Sequence, residues 1–124
     1  MRSILFALAI LIPTGVGCWN SSLPAQTETA KGREVLTQAL DTWKRGETVD
    51  TLKTARPPVQ MNDPDWSAGY KLTDYLIAAE DGRAGVDLLL SVKLVLARSD
   101  GAALEKRVKF IVAIGSSIVI TRSE

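Results

Sequence analysis

The stretch Asn62-Asp63-Pro64-Asp65-Trp66 concentrates more reactive groups than any other part of this chain. Two carboxylates one residue apart, beside an aromatic ring, can hold a cation or act as an acid–base pair. The spacing is not that of a calcium loop, because the next acidic residue after Asp65 is Asp74 and such a loop needs oxygen ligands at regular intervals. The same residues are strong turn formers, and Trp66 is large and apolar enough to seal one end of a core. Asp63, Asp65 and Trp66 are therefore candidate ligand-binding residues, and a turn is the simpler role for them.

A second group is Tyr70, Asp74 and Tyr75. If Asp74 lay in an apolar cavity its pKa would rise, and with Tyr70 or Tyr75 it could move a proton, as in a small isomerase or hydrolase. The simpler expectation is a solvated strand residue. Other chemistry is excluded outright. The chain has no histidine and one cysteine, so it can build neither a Ser-His-Asp nor a Cys-His pair, and no zinc site of histidine and cysteine. No catalytic set, cofactor or metal is expected.

A third group is cationic. Lys93, Arg107, Lys109 and Arg122 are expected on the outer face of a sheet, where they would meet an anionic partner or water. Leu89, Val95, Ile111 and Val119 share that face in the pattern, which makes it partly apolar and suits docking on a protein or on a second copy. The formal net charge is +1, and setting Arg2 aside leaves 14 acidic residues matched by as many basic ones. Bulk charge therefore offers no argument for nucleic acid or for an acidic lipid surface.

These groups sit on a chain that opens with an address. Arg2 precedes an apolar run over residues 4–12, Pro13 breaks it, and small residues follow. That order is a secretory signal, and the run is shorter than the roughly 20 residues a spanning helix needs. Residues 1–17 are expected to be removed and the protein exported, and the small-x-small Gly15-Val16-Gly17 suits ordinary signal peptidase before Cys18. Val16-Gly17-Cys18 resembles the bacterial lipobox, although Gly15 stands where leucine is usual. The resemblance implies cleavage after Gly17, a lipid on Cys18 and a membrane anchor on the non-cytoplasmic side of the cell envelope. A lone thiol in an oxidising compartment has no partner within the chain, which fits its consumption by acylation. Residues 18–27 read as a polar tether and residues 28–124 as one domain.

Within that domain, Val35, Leu36, Ala39, Leu40 and Trp43 recur at three- and four-residue steps, which predicts a helix over residues 28–45 ending at Gly46. Arg56-Pro57-Pro58 stops helix formation, and residues 56–67 read as an extended connection. The period then becomes two. A first strand spans residues 69–80, with a parity switch near Thr73-Asp74 that predicts a bulge. Asp81-Gly82 and Asp100-Gly101 signal hairpins, and Gly115-Ser116-Ser117 a third turn. Strands follow over residues 86–96, 104–114 and 118–122. The fold class is α+β, one long N-terminal helix packed on a four-stranded antiparallel meander. That order resembles the cystatin-like and nuclear-transport-factor-like folds, in which a long helix lies across a curved sheet. The Gln-x-Val-x-Gly segment with which cystatins grip cysteine proteases is missing. The layout is also similar to that of small exported bacterial proteins, a class with no activity to transfer. The function expected is an exported, lipid-anchored binding or structural module.

Overall fold

A computed structural model describes residues 26–123; Gly17, Cys18 and the signal-like stretch lie outside the described residues. The element order is α1 (Thr29–Lys44), α2 (Asp50–Lys53), β1 (Val59–Asn62), α3 (Pro64–Ser67), β2 (Lys71–Ala84), β3 (Asp87–Ala97), β4 (Ala103–Ile114) and β5 (Ile118–Arg122). The class is α+β.

The apolar stripe of α1 is buried as its spacing requires: Val35, Leu36, Ala39, Leu40 and Trp43 all face the sheet. One buried position on that face is a glycine. Gly32 lies against Leu88, and a Cβ built there would collide with the Leu88 side chain. The glycine lets the helix approach β3 closely, at a cost in helix propensity of about 1 kcal/mol relative to alanine. Gly46, at φ +87, ends the helix, and its N–H bonds to the Trp43 carbonyl.

The sheet has five strands in the order β1-β5-β4-β3-β2. Four are antiparallel neighbours, and β1 pairs parallel with β5 from Val59 opposite Ile118 to Asn62 opposite Thr121. The expected four-stranded antiparallel meander is thus a five-stranded mixed sheet. The missing strand lies inside the stretch read as an extended connection. Val59 and Met61 are buried and alternate with exposed Gln60 and Asn62, but four residues between prolines are too few for periodicity to stand out.

Every second residue of β3, from Leu88 to Leu96, points at the helix, as do Val108, Phe110 and Val112 of β4 and Ile118 and Ile120 of β5. These side chains fill the space between helix and sheet. Every buried apolar side chain among those described falls within residues 35–120, so residues 26–124 carry that core whole.

The first hairpin turn is also displaced from the sequence expectation. β2 runs through Asp81-Gly82 to Ala84, and the turn is Gly85-Val86, with Gly85 at φ +66. Asp81 instead follows an irregularity in register between Ile77 and Asp81, and a second shift lies between Leu72 and Asp74. Arg33 on α1 staples the first of these. Its guanidinium donates to the Ala78 carbonyl and to Asp81 Oδ1, both at 2.7 Å. An Asp-Gly pair therefore marks a place where β2 departs from its neighbour rather than one where it reverses. Thr27, the last residue of the expected tether, is buried; its N–H bonds to the Val86 carbonyl and its own carbonyl accepts from Arg83. No helix among the described residues is long and apolar enough to cross a membrane.

Candidate functional site

Asp63 is extended, and Pro64 begins the single turn of α3 with the φ a first helical residue needs. Asp63 Oδ1 accepts from the N–H of Asp65 at 2.8 Å and of Trp66 at 3.1 Å, so the carboxylate caps α3. Both oxygens of Asp63 also accept from Arg122 Nη1 at 3.1 Å. The same nitrogen donates to Asp65 Oδ2 at 2.8 Å, and Lys106 Nζ reaches both Asp65 oxygens at 3.1 and 3.0 Å. Two carboxylates and two cations thus form a neutral quartet. The Asp63 side chain is fully buried, those of Asp65 and Arg122 are each 9% exposed, and that of Lys106 is 35% exposed.

Burial alone would raise the Asp65 carboxyl, but hydrogen bonds from Arg122 and then Lys106 outweigh it and hold the pKa below its ordinary value. Burial pulls the Arg122 guanidinium down, and its bonds to Asp65 and Asp63 more than reverse this. Trp66 stacks on Trp43 with ring centroids 5.2 Å apart and planes 4° from parallel. Each indole N–H is satisfied by a backbone carbonyl, that of Tyr70 for Trp43 and of Glu47 for Trp66. The three residues singled out as ligand-binding candidates are therefore brought together, but as a closed joint. Protein donors occupy the carboxylate oxygens, and a cation would have to displace Arg122 or Lys106. Among the described residues no cluster of three or more acidic or cysteine side chains is placed to hold a metal ion.

Arg122 corrects an expectation. It was expected on the outer sheet face, yet it points inward, because it shares the parity of Ile118 and Ile120. Lys106, not picked out from the sequence, likewise shares the inward parity of Val108 and Phe110. The parity was readable in both cases. What concealed it was the rule that charge stays outside, which fails where a partner waits inside.

Tyr70, Asp74 and Tyr75 do not converge. The Tyr75 hydroxyl donates to Asp41 Oδ1 on α1 at 2.7 Å, and burial followed by that bond pushes its pKa up to about 12. Asp74 is 71% exposed beside Lys44 at 3.7 Å. Tyr70 is half-buried, and its carbonyl accepts the Trp43 indole. Leu36, Leu40, Leu94 and Phe110, all fully buried, occupy the helix–sheet interior where an apolar acid–base site would need a cavity.

The open surface is on the other side of the sheet. Lys93 lies opposite Arg107, Ser91 opposite Lys109, and Leu76 opposite Lys93. Directly opposed positions bring Cβ atoms to about 5 Å, and alternate residues of a strand stand about 7 Å apart. Three cations are thus confined to one small area. None forms an ion pair with a carboxylate among the described residues. They border a groove of about 380 Å³ whose other wall is Leu76 and Ala78, on either side of the point where β2 loses register with β3. Leu76 is 63% exposed, the most exposed large apolar side chain of the domain. No family model, curated protein or solved structure matches this chain.

Proposed function

We propose that this chain is an exported, lipid-anchored binding module of the cell envelope, tethered through Cys18 and binding with the outer face of its sheet. The observation that carries the reading is the groove edged by Lys93, Arg107 and Lys109. Like charges crowded across a strand pair repel and destabilise the sheet slightly, so their company without a carboxylate partner favours use over support. The groove falls within the roughly 300–1,000 Å³ range of binding pockets, and it joins apolar walls to a few convergent polar groups. The filled helix–sheet interior and the raised pKa of Tyr75 lend nothing to an acid–base enzyme at Asp74. The cystatin-like description of the layout rests on element order and adds no binding segment.

The anchor is tested by feeding producing cells a clickable fatty acid. The full chain is expected to label and to fractionate with membranes, and Cys18→Ser to do neither. An unlabelled wild-type chain, or a Cys18→Ser chain that stays in the membrane fraction, overturns the anchor. The binding face is tested separately, because it does not depend on Cys18.

A further inference from the structure

The cations of the outer face are not evenly spread. From the Gly85-Val86 turn along the sheet, the outward positions run Leu89 with Ile111, then Ser91 with Lys109, then Lys93 with Arg107, then Val95 with Glu105 and Asp74. Apart from Asp87 at the turn and Glu80 in the irregular stretch of β2, the first three of these four rungs are aliphatic, polar or cationic, and carboxylates stand at the fourth. Only Leu76 and Val86 are exposed large apolar residues among those described, at 63% and 36%. One sits beside the cations and the other at the turn.

The polypeptide enters the domain at that same turn. The Thr27 N–H bonds to the Val86 carbonyl at 3.0 Å, and Arg83 holds the Thr27 carbonyl. From Cys18 to Thr27 an extended chain reaches about 30 Å. From the turn to Lys93 along β3 is about 20 Å. If Cys18 is held in a bilayer, the tether is long enough for the stretch from the turn to Lys93 to lie on its surface.

From this coincidence of chain entry, exposed aliphatics and carboxylate-free cations, we infer that the outer sheet face lies on anionic bilayer headgroups, with Lys93, Arg107 and Lys109 against phosphates and Leu76 and Val86 in the interfacial layer. The inference rests on the proposed function for its membrane and deepens it by naming what the groove meets. The anchor and the face act as two linked attachments, and an anchored chain presents the basic patch to the surface at high effective concentration. Neutral bulk charge does not oppose this, because the pull of an anionic surface falls off within about 10 Å at 0.1 M salt and so acts on the near face.

The experiment uses residues 26–124, so that Cys18 is absent and acylation plays no part. The protein is sedimented with vesicles of phosphatidylcholine alone and of phosphatidylcholine mixed with phosphatidylglycerol. Binding is expected on the mixed vesicles only, and it should weaken as salt rises. Each cation near such a surface contributes about fivefold in partitioning, so the triple variant Lys93→Gln, Arg107→Gln, Lys109→Gln should lose about 100-fold. A second triple variant, Lys31→Gln, Arg45→Gln, Lys53→Gln, removes the same charge from exposed positions on α1, α2 and the turn between them, and should bind nearly as wild type. Absence of binding to mixed vesicles, equal binding to neutral ones, or equal loss in both triple variants overturns the inference. So does full displacement by inorganic phosphate at matched ionic strength, which would make the groove a small-anion site. A chain that binds these vesicles but takes no fatty acid keeps the face and loses the anchor, so the two failures are told apart.

Discussion

The sheet carries two groups of positive charge on opposite faces, built from the same residue types and treated in opposite ways. On the inner face Arg122 and Lys106 are locked to Asp63 and Asp65, with little or no exposure of any of these side chains but that of Lys106. On the outer face Lys93, Arg107 and Lys109 stand side by side without a carboxylate partner among the described residues. A buried charge is tolerated only when it is paired, so the inner group is a condition of folding. An outer charge can be changed with little effect on the fold, so its arrangement is free of that condition. Position relative to the sheet, not residue type, separates the structural cations from the available ones.

The sharpest way to break this contrast is Arg122→Met. It leaves two buried carboxylates with only Lys106, and breaking a buried pair costs about 3–5 kcal/mol, measured by urea unfolding. The outer triple variant Lys93→Gln, Arg107→Gln, Lys109→Gln should shift the same curve by no more than about 0.5 kcal/mol. Comparable losses in the two would erase the distinction.

Acid should strike the inner group next. The Asp65 carboxyl titrates below its ordinary value of 3.8 in the folded state. The unfolded chain therefore binds its proton first, and the stabilisation is complete above that pH and is lost as the pH falls through the lower folded value. Unfolding curves collected across that window should show stability rising with pH, and Asp65→Asn should flatten the slope. A slope that survives the substitution would move the effect to another carboxylate.

Glycines sharpen the contrast on a smaller scale. Gly32→Ala puts a methyl into Leu88 on the inner side; overpacking of about 1–3 kcal/mol less about 1 kcal/mol of helix propensity leaves a net loss of about 1 kcal/mol. At Gly82 a Cβ would stand 3.6 Å from Leu89, ordinary contact. Gly82→Ala should therefore be neutral or slightly stabilising in a thermal melt. Smallest of all, Lys44→Ala removes an exposed pair with Asp74 and should change stability by less than about 1 kcal/mol.

The helix stripe, β3 and β4 were legible because each repeats its period over ten residues or more, long enough for burial to leave an unbroken signature. β1 was not, since four residues between prolines carry no period of their own and gain strand geometry only from β5. The Asp-Gly at 81–82 misled because the turn chemistry it signals is also the chemistry of a bulge, and Arg33, far away in sequence, stabilises the bulge. At the candidate site, Asp63, Asp65 and Trp66 were recognisable as a unit. Their partners were not, because Arg122 stands 57 residues from Asp65 and Lys106 stands 41, and no local pattern joins residues so far apart.

The parallel pairing of β1 with β5 sets the order in which the domain can finish. The three long strands lie between the two in sequence, and the Asp63–Arg122 contact spans 59 residues. Loop-closure entropy of that kind is paid before the contact rewards it, which slows the last step of folding. A chain made in sequence therefore holds Asp63 without its cation until residue 122 emerges, whereas Asp65 can already meet Lys106. Until then β1 has no strand beside it and Asp63 no cation, so the sheet edge that holds the quartet is the last to close.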